Sequence, residues 1–320
     1  MSRRVPYSSI RGRSYTAFAL LWRVTCESNL TRTGGLPPQY GPVIAESLHV
    51  LRQIPGAGSI TIEGEVLGEG PPVVLLHGLS ATRRNVVQGS RALVKRGYRL
   101  ISYDARGHGE SSRAPSYDYA DLVADLDAVL DELALDSTAL VGSSMGAATA
   151  MAFTLEHPER VPALVQITPA YTGYSRTGDA DGEAWEKLAT ALDDGVDEFV
   201  RVAQPQGLPE RWRDVAREAS RQRMERHTDL GAVAQALREV PRSIAWKGLE
   251  PLSDLNVPVL VVGSQDDSDW LHPLGVAEEY CRKLPNCELV VEDKGQSPLA
   301  WQGARLSNVI ADFLERVGYS

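Results

Sequence analysis

Histidine runs out early in this chain: of six, none lies beyond His272. Cysteine is scarcer still, with three in 320 residues, at positions 26, 281 and 287. So sparse and odd a set points to a reducing compartment and excludes a disulfide framework. No Cys/His cluster has zinc-ligand spacing, so no metal is expected, and nothing calls for another cofactor. No apolar run approaches the ~18 residues of a membrane span, although 43% of residues are hydrophobic. Positive charge is in deficit: 33 Lys and Arg stand against 42 Asp and Glu, a net −9. That argues against a general nucleic-acid binder. What remains is a soluble body, expected in the cytoplasm. It is long enough for one large core, or a core plus an inserted subdomain.

The deficit is uneven. Residues 1–45 carry Arg3, Arg4, Arg11, Arg13, Arg23 and Arg32 against Glu27 alone, a local +5, which leaves −14 for the rest. Ser2-Arg3-Arg4 ahead of the apolar residues 15–22 has the outline of an export signal. That stretch is short, however, Arg23 ends it, and no A-x-A site follows. The plainer expectation for 1–45 is a disordered basic extension, or translated sequence upstream of the true start. Pro37-Pro38 and Gly41-Pro42 set it apart from the folded part.

From Ser59 a regular pattern begins. Residues 59–67 alternate like a strand, and 73–76 form a continuous apolar run, as in a strand buried on both faces. His77-Gly78-Leu79-Ser80 follows. A helix is expected over about 83–96, then a strand at 99–103, then Asp104-Ala105-Arg106-Gly107-His108-Gly109-Glu110-Ser111. Leu122, Leu126, Val129, Leu130 and Leu133 repeat at helical spacing. Further buried strands are expected at 161–168 and 257–262, and the last strand at 288–291. Residues 171–246 break the alternation: they are charged, helical in pattern and lack a convincing strand. Strands alternating with helices imply a mostly parallel sheet covered on both faces, with ligands beyond the strands' C-terminal ends.

The centre of the pattern is 138–153. A short apolar strand leads into Gly142-Ser143-Ser144-Met145-Gly146, and small helical residues follow. G-x-S-x-G between strand and helix is a nucleophile elbow. Both glycines are needed, because side chains two before and two after the serine would strike neighbouring backbone. The serine is lifted above a helix N-terminus, where developing negative charge is stabilised.

These motifs resemble the α/β-hydrolase family over about 59–313: VVLLHG, DARGHGES, GSSMG and VLVVGSQDD occur in the family's order. The resemblance extends to its capped esterase, haloperoxidase and iminopeptidase branches. It implies an α/β-hydrolase core over 46–170 and 247–320, with a helical cap, 171–246, inserted before the acid-bearing strand. It also implies roles. Ser144 matches the nucleophile. The backbone N–H groups of Leu79 and Met145 match the oxyanion hole, and Asp266 matches the acid, with Asp267 a second candidate. His77 and His108 match structural side chains of the site loops.

One position departs from the family. The catalytic histidine usually follows the last strand, and here that place reads Glu292-Asp293-Lys294-Gly295-Gln296. Gln296 stands where the histidine is expected, and a neutral amide cannot shuttle a proton. The substitute candidate is His272, expected at the N-cap of the helix after the Asp266 strand. His227, at the end of a cap helix, is a weaker one. His49 precedes the sheet in this reading, and His157 ends the elbow helix. Asp269, Glu292 and Asp293 flank the site. Trp185, Trp212, Trp246, Trp270 and Trp301 are available to line an apolar pocket.

Three functions stay open. The first is a serine hydrolase acting on a small apolar ester, lactone or amide, with a relocated base oriented by Asp266. The second is a cofactor-free lyase or isomerase. The third is a non-catalytic binding or signalling homologue. In each the partner is a small molecule, not nucleic acid or a membrane.

Overall fold

Short runs of valine, leucine and isoleucine build the sheet. In a computed structural model that describes residues 45–175, 179–204, 210–266, 269 and 271–320, eight strands form one sheet: β1 (Ala45–Ile54), β2 (Gly58–Leu67), β3 (Pro72–Leu76), β4 (Arg99–Tyr103), β5 (Ala139–Ser143), β6 (Leu164–Ile167), β7 (Val259–Val262) and β8 (Cys287–Val290). Their order is β1-β2-β4-β3-β5-β6-β7-β8. β1 and β2 pair antiparallel, as do β2 and β4; every pair from β4–β3 to β7–β8 is parallel. The central strands are buried on both faces, which is why they read as unbroken apolar runs.

Helices cover both faces: α1 (Ala92–Lys95), α2 (Tyr119–Glu132), α3 (Met145–Glu156), α4 (Asp179–Asp193), α5 (Val196–Val202), α6 (Glu210–Met224), α7 (Leu230–Glu239), α8 (Leu274–Lys283) and α9 (Gly303–Arg316). One face packs Leu126, Leu130, Phe153 and Tyr280 from α2, α3 and α8. The other packs Leu93 of α1 and Leu306, Ile310 and Phe313 of α9. Helices α4 to α7 lie between β6 and β7 and hold a small core of their own, including Leu192, Phe199, Met224 and Leu237. Leu79 packs against both this core and the main one. No described helix is long and apolar enough to cross a membrane.

The loop after β4 is fastened by a buried ion pair. The fully buried Arg106 donates to both carboxylate oxygens of Asp125 in α2, at 2.6 and 2.8 Å. Arg52 of β1 donates to the same carboxylate at 2.6 Å.

Several expectations are corrected. β1 was not anticipated, and His49 lies within it, not ahead of the sheet. The helix expected over 83–96 is a single turn at Arg83–Asn85 and the short α1. Gln88 and Gly89 take left-handed backbone between them, which no helix continues through. Cys281 of α8 and Cys287 of β8 are disulfide-bonded. The turn at Leu284-Pro285-Asn286 brings their Cα atoms within 5.2 Å, so the argument from sparse cysteine to a reducing compartment falls. The basic extension expected at 1–45, apart from Ala45, lies outside the described residues. So do Pro209, Asp267, Trp270 and the side chain of Trp212.

Candidate active site

Ser144 sits between β5 and α3 with φ 50° and ψ −108°, a conformation that L-residues avoid. The turn is held from both sides. Ser144 N–H donates to Ile167 O of β6 at 3.1 Å, and Ala148 N–H donates to Ser144 O at 3.0 Å. The flanking glycines are required by close approach: a Cβ on Gly142 would strike Gly146 O, and one on Gly146 would strike Leu76 O.

The Ser144 hydroxyl meets His272. Its Oγ lies 2.8 Å from His272 Nε2, while His272 Nδ1 lies 2.7 Å from Asp269 Oδ2. A carboxylate only accepts, so Nδ1 carries the ring proton and Nε2 is left to accept from Ser144. The side chains of His272 and Asp269 are 17% and 23% exposed, so the line of groups is shielded but open at one edge. Pro273 caps α8 at its N-terminus, with His272 one residue ahead of it.

Two donors face this arrangement. Met145 N–H is the first of α3 and has no intrahelical acceptor. Neither it nor Leu79 N–H makes a hydrogen bond among the described residues. Gly78 brings their loop close: a Cβ built on Gly78 would lie 3.4 Å from Ser144 Cβ.

Three further histidines support that loop and are consumed by backbone. Ala105 N–H donates to His77 Nε2 (2.8 Å), and His77 Nδ1–H donates to Gly78 O (2.8 Å). Ser80 N–H donates to His108 Nε2 (3.2 Å), and His108 Nδ1–H donates to Arg106 O (3.0 Å). Gly109 N–H donates to His227 Nδ1 (2.8 Å), and His227 Nε2–H donates to Ser80 O (3.3 Å). Each ring is neutral, with both nitrogens engaged. Burial lowers the pKa of all three: His108 falls well below its ordinary value, and His227 falls to about 4. His227 therefore has no nitrogen to offer a substrate.

Ser144, His272, Leu79 and Met145 thus come together. Gln296 has other partners: its amide donates to Asp293 Oδ2 at 3.1 Å and accepts from Arg305 at 2.9 Å, on the exposed surface. The carboxylate on His272 belongs to Asp269, not Asp266. The D-x-x-H spacing of 269 and 272 was the available signal. Sequence reasoning also missed the use of Glu292. This buried side chain accepts from Ser264 Oγ at 3.1 Å, from Gln265 N–H, and from Leu299 N–H at 3.4 Å. It ties the loop after β7 to the loop after β8. No group of three His, Cys, Asp or Glu side chains among the described residues is arranged to hold a metal.

The chain is similar to known proteins in sequence and in fold. The chain is 28% identical over 275 residues to a Synechocystis protein assigned as a non-heme chloroperoxidase, covering 81% of this chain and 96% of that one. It is 41% identical over 113 residues to the sn-1-specific diacylglycerol lipase ABHD11 of Xenopus laevis, covering 34% and 36%. A thermophilic esterase from Thermogutta terrifontis superposes with a TM-score of 0.70 at 24% identity, covering 85% of this chain and 99% of the esterase. The enol-lactonase of Burkholderia xenovorans does so with a TM-score of 0.67 at 21% identity, covering 83% and 99%. These two share the fold. A model of the alpha/beta hydrolase fold matches residues 71–303, most of the chain. With that match, the strand order and the elbow all in agreement, the chain belongs to the α/β-hydrolase family and is an enzyme of hydrolase type.

Proposed function

We propose that the protein hydrolyses carboxylic esters or lactones through Ser144, with His272 as base and Asp269 orienting it. The observation that carries this reading is the unbroken contact from Asp269 through His272 to the Ser144 hydroxyl. The esterase and lactonase names of fold neighbours agree with it.

The steps balance without a cofactor. Ser144 Oγ attacks the acyl carbon while its proton passes to His272 Nε2. Negative charge collects on the carbonyl oxygen, against the N–H groups of Leu79 and Met145 and the N-terminus of α3. The acyl C–O bond breaks, and His272 returns its proton to the leaving alkoxide. Water then gives a proton to His272 and attacks the acyl-serine, which releases the acid and restores the Ser144 hydroxyl. Helices α4 to α7 act as the lid: Leu79, beside the serine, packs on their core, and His227 bonds the same loop. With His272 on the serine hydroxyl, the glutamine at 296 no longer leaves the proposed site without a base, which supports the catalytic reading over a non-catalytic homologue.

A fluorophosphonate probe tests the proposal. The wild type is expected to be labelled and Ser144→Ala to be silent. A wild type that stays unlabelled from about pH 6 to 9 would sink the reading, since an activated serine should react across that range.

A further inference from the structure

A cavity of about 220 Å³ opens where the helical insertion meets the loops of the sheet. Thr82, Arg83 and Arg84 line it from the turn after Ser80, Asp104 and Glu110 from the loop after β4, and Arg226 from just beyond the end of α6. Ser144, His272 and Asp269 are not among its walls. Pockets that enclose a drug-sized molecule measure about 300–1,000 Å³. This one is smaller and suits a small ion, or one charged group of a larger ligand.

Its two carboxylates are already met. Asp104 accepts from Arg83 N–H at 2.7 Å, from Glu110 N–H at 3.1 Å and from the Arg83 guanidinium. The same guanidinium donates to Glu110 at 2.5 Å. Arg83 is thus shared by both acids, and Arg84 and Arg226 are left over. Both are exposed, and neither side chain has an ion pair or hydrogen bond among the described residues. Two like charges on one cavity repel, and an anion between them reverses the sign of that interaction. The two forks come from different elements. A planar carboxylate offers two oxygens in one plane and satisfies one fork. A phosphate is tetrahedral, offers three or more oxygens, and carries close to two negative charges at neutral pH.

We propose that Arg84 and Arg226 bind a phosphate dianion, free or as the phosphoryl group of a small ester, across the seam between insertion and core. The seam is already tied beside the cavity. Arg226 directly precedes His227, which bonds Ser80 O, and Glu110 follows Gly109, whose carbonyl accepts from Thr228 N–H at 2.9 Å. A bound anion adds a further tie, from Arg84 of the core to Arg226 of the insertion. Binding here needs no turnover at Ser144, so it stands or falls apart from the esterase reading.

Calorimetry on the full chain tests it, with inorganic phosphate and with glycerol 3-phosphate, at an ionic strength held constant with sodium chloride. The wild type is expected to bind at least one of them at a single site, with Kd below about 1 mM. Arg84→Gln and Arg226→Gln should each weaken binding about tenfold or more, and the double variant should abolish it. Arg217→Gln, on the exposed side of α6 beside Asp214, should leave it unchanged. Saturating ligand should raise the melting temperature of the wild type and not that of the double variant. Equal affinity for the two compounds assigns free phosphate; tighter binding of glycerol 3-phosphate assigns an organic phosphate. No saturable binding of either compound up to about 10 mM overturns the proposal. So does equal binding by the double variant, or an equal loss in Arg217→Gln, which would mean a diffuse effect of charge. If the double variant fails to fold, the two single variants decide.

Discussion

Two loops leave neighbouring strands at the carboxyl edge of the sheet and are put to different uses. The loop after β7 carries Asp269 and His272 onto the Ser144 hydroxyl. The loop after β8 carries Gln296 at the position where a family histidine is expected, and turns it outward to Asp293 and Arg305. The two are joined by Glu292, which leaves β8 but accepts from Ser264 and Gln265 after β7. Proton transfer depends on where an imidazole ends up, not on which strand delivers it. With the proposed acid and base three residues apart, one loop sets both, and the other is left to brace it.

The largest effect is expected when each loop loses its side chain in turn. His272→Ala should lower kcat about 10⁵- to 10⁶-fold, whereas Gln296→Ala should change it less than about threefold. A reversal would return the base to the loop after β8. Next are the two acids. Asp269→Asn leaves the ring without its acceptor and should cost about 10⁴ in kcat, with Asp266→Asn within about tenfold. A larger loss for Asp266 would make it the orienting group.

Glu292→Leu tests the brace. It strands Ser264 Oγ and Gln265 N–H and should cost about 2–4 kcal/mol of stability. Displacing the loop that carries His272 should also lower kcat about ten- to a hundredfold. Unchanged values in urea melts and rate assays would mean that the loops are independent.

The mildest effect on turnover concerns the histidines that stay off the serine. His227 holds a pKa of about 4 in the fold, against an ordinary 6.5, because burial disfavours its charge. The unfolded chain takes the proton first. The contribution to stability is therefore full above about pH 6.5 and is lost as pH falls towards 4, by about 3 kcal/mol for this ring. His77 and His108 shift in the same direction and add to it. Melting temperature should drop over that window, and His227→Gln should flatten the drop. A pH-independent melting curve would contradict the buried neutral rings.

Much of the layout was legible in the residues. The run at 73–76 is apolar because both faces of that strand are covered. The strand-free stretch at 171–246 stood out for the opposite reason. Ser144 was legible because its turn tolerates only glycine at 142 and 146, a constraint written in composition. β1 was not, since Leu51 and other exposed residues blur its alternation. The choice between Asp266 and Asp269 was not either: both follow a strand in an acidic loop, and only the path of the turn decides which faces the imidazole. The disulfide was missed because a count of three cysteines says nothing about two of them flanking one tight turn.

The histidine strap has a mechanical consequence. At the end of α6 the helical insertion is fastened to the sheet's loops by His227 and by Thr228, whose N–H donates to Gly109 O at 2.9 Å. Parting them would leave backbone groups of Ser80 and Gly109 unmet, at about 1–3 kcal/mol each. That end behaves as the fixed hinge of a door. Under the proposed function, passage for a substrate would open by movement of the rest of the insertion, while the loop proposed to stabilise the reacting oxygen keeps its shape.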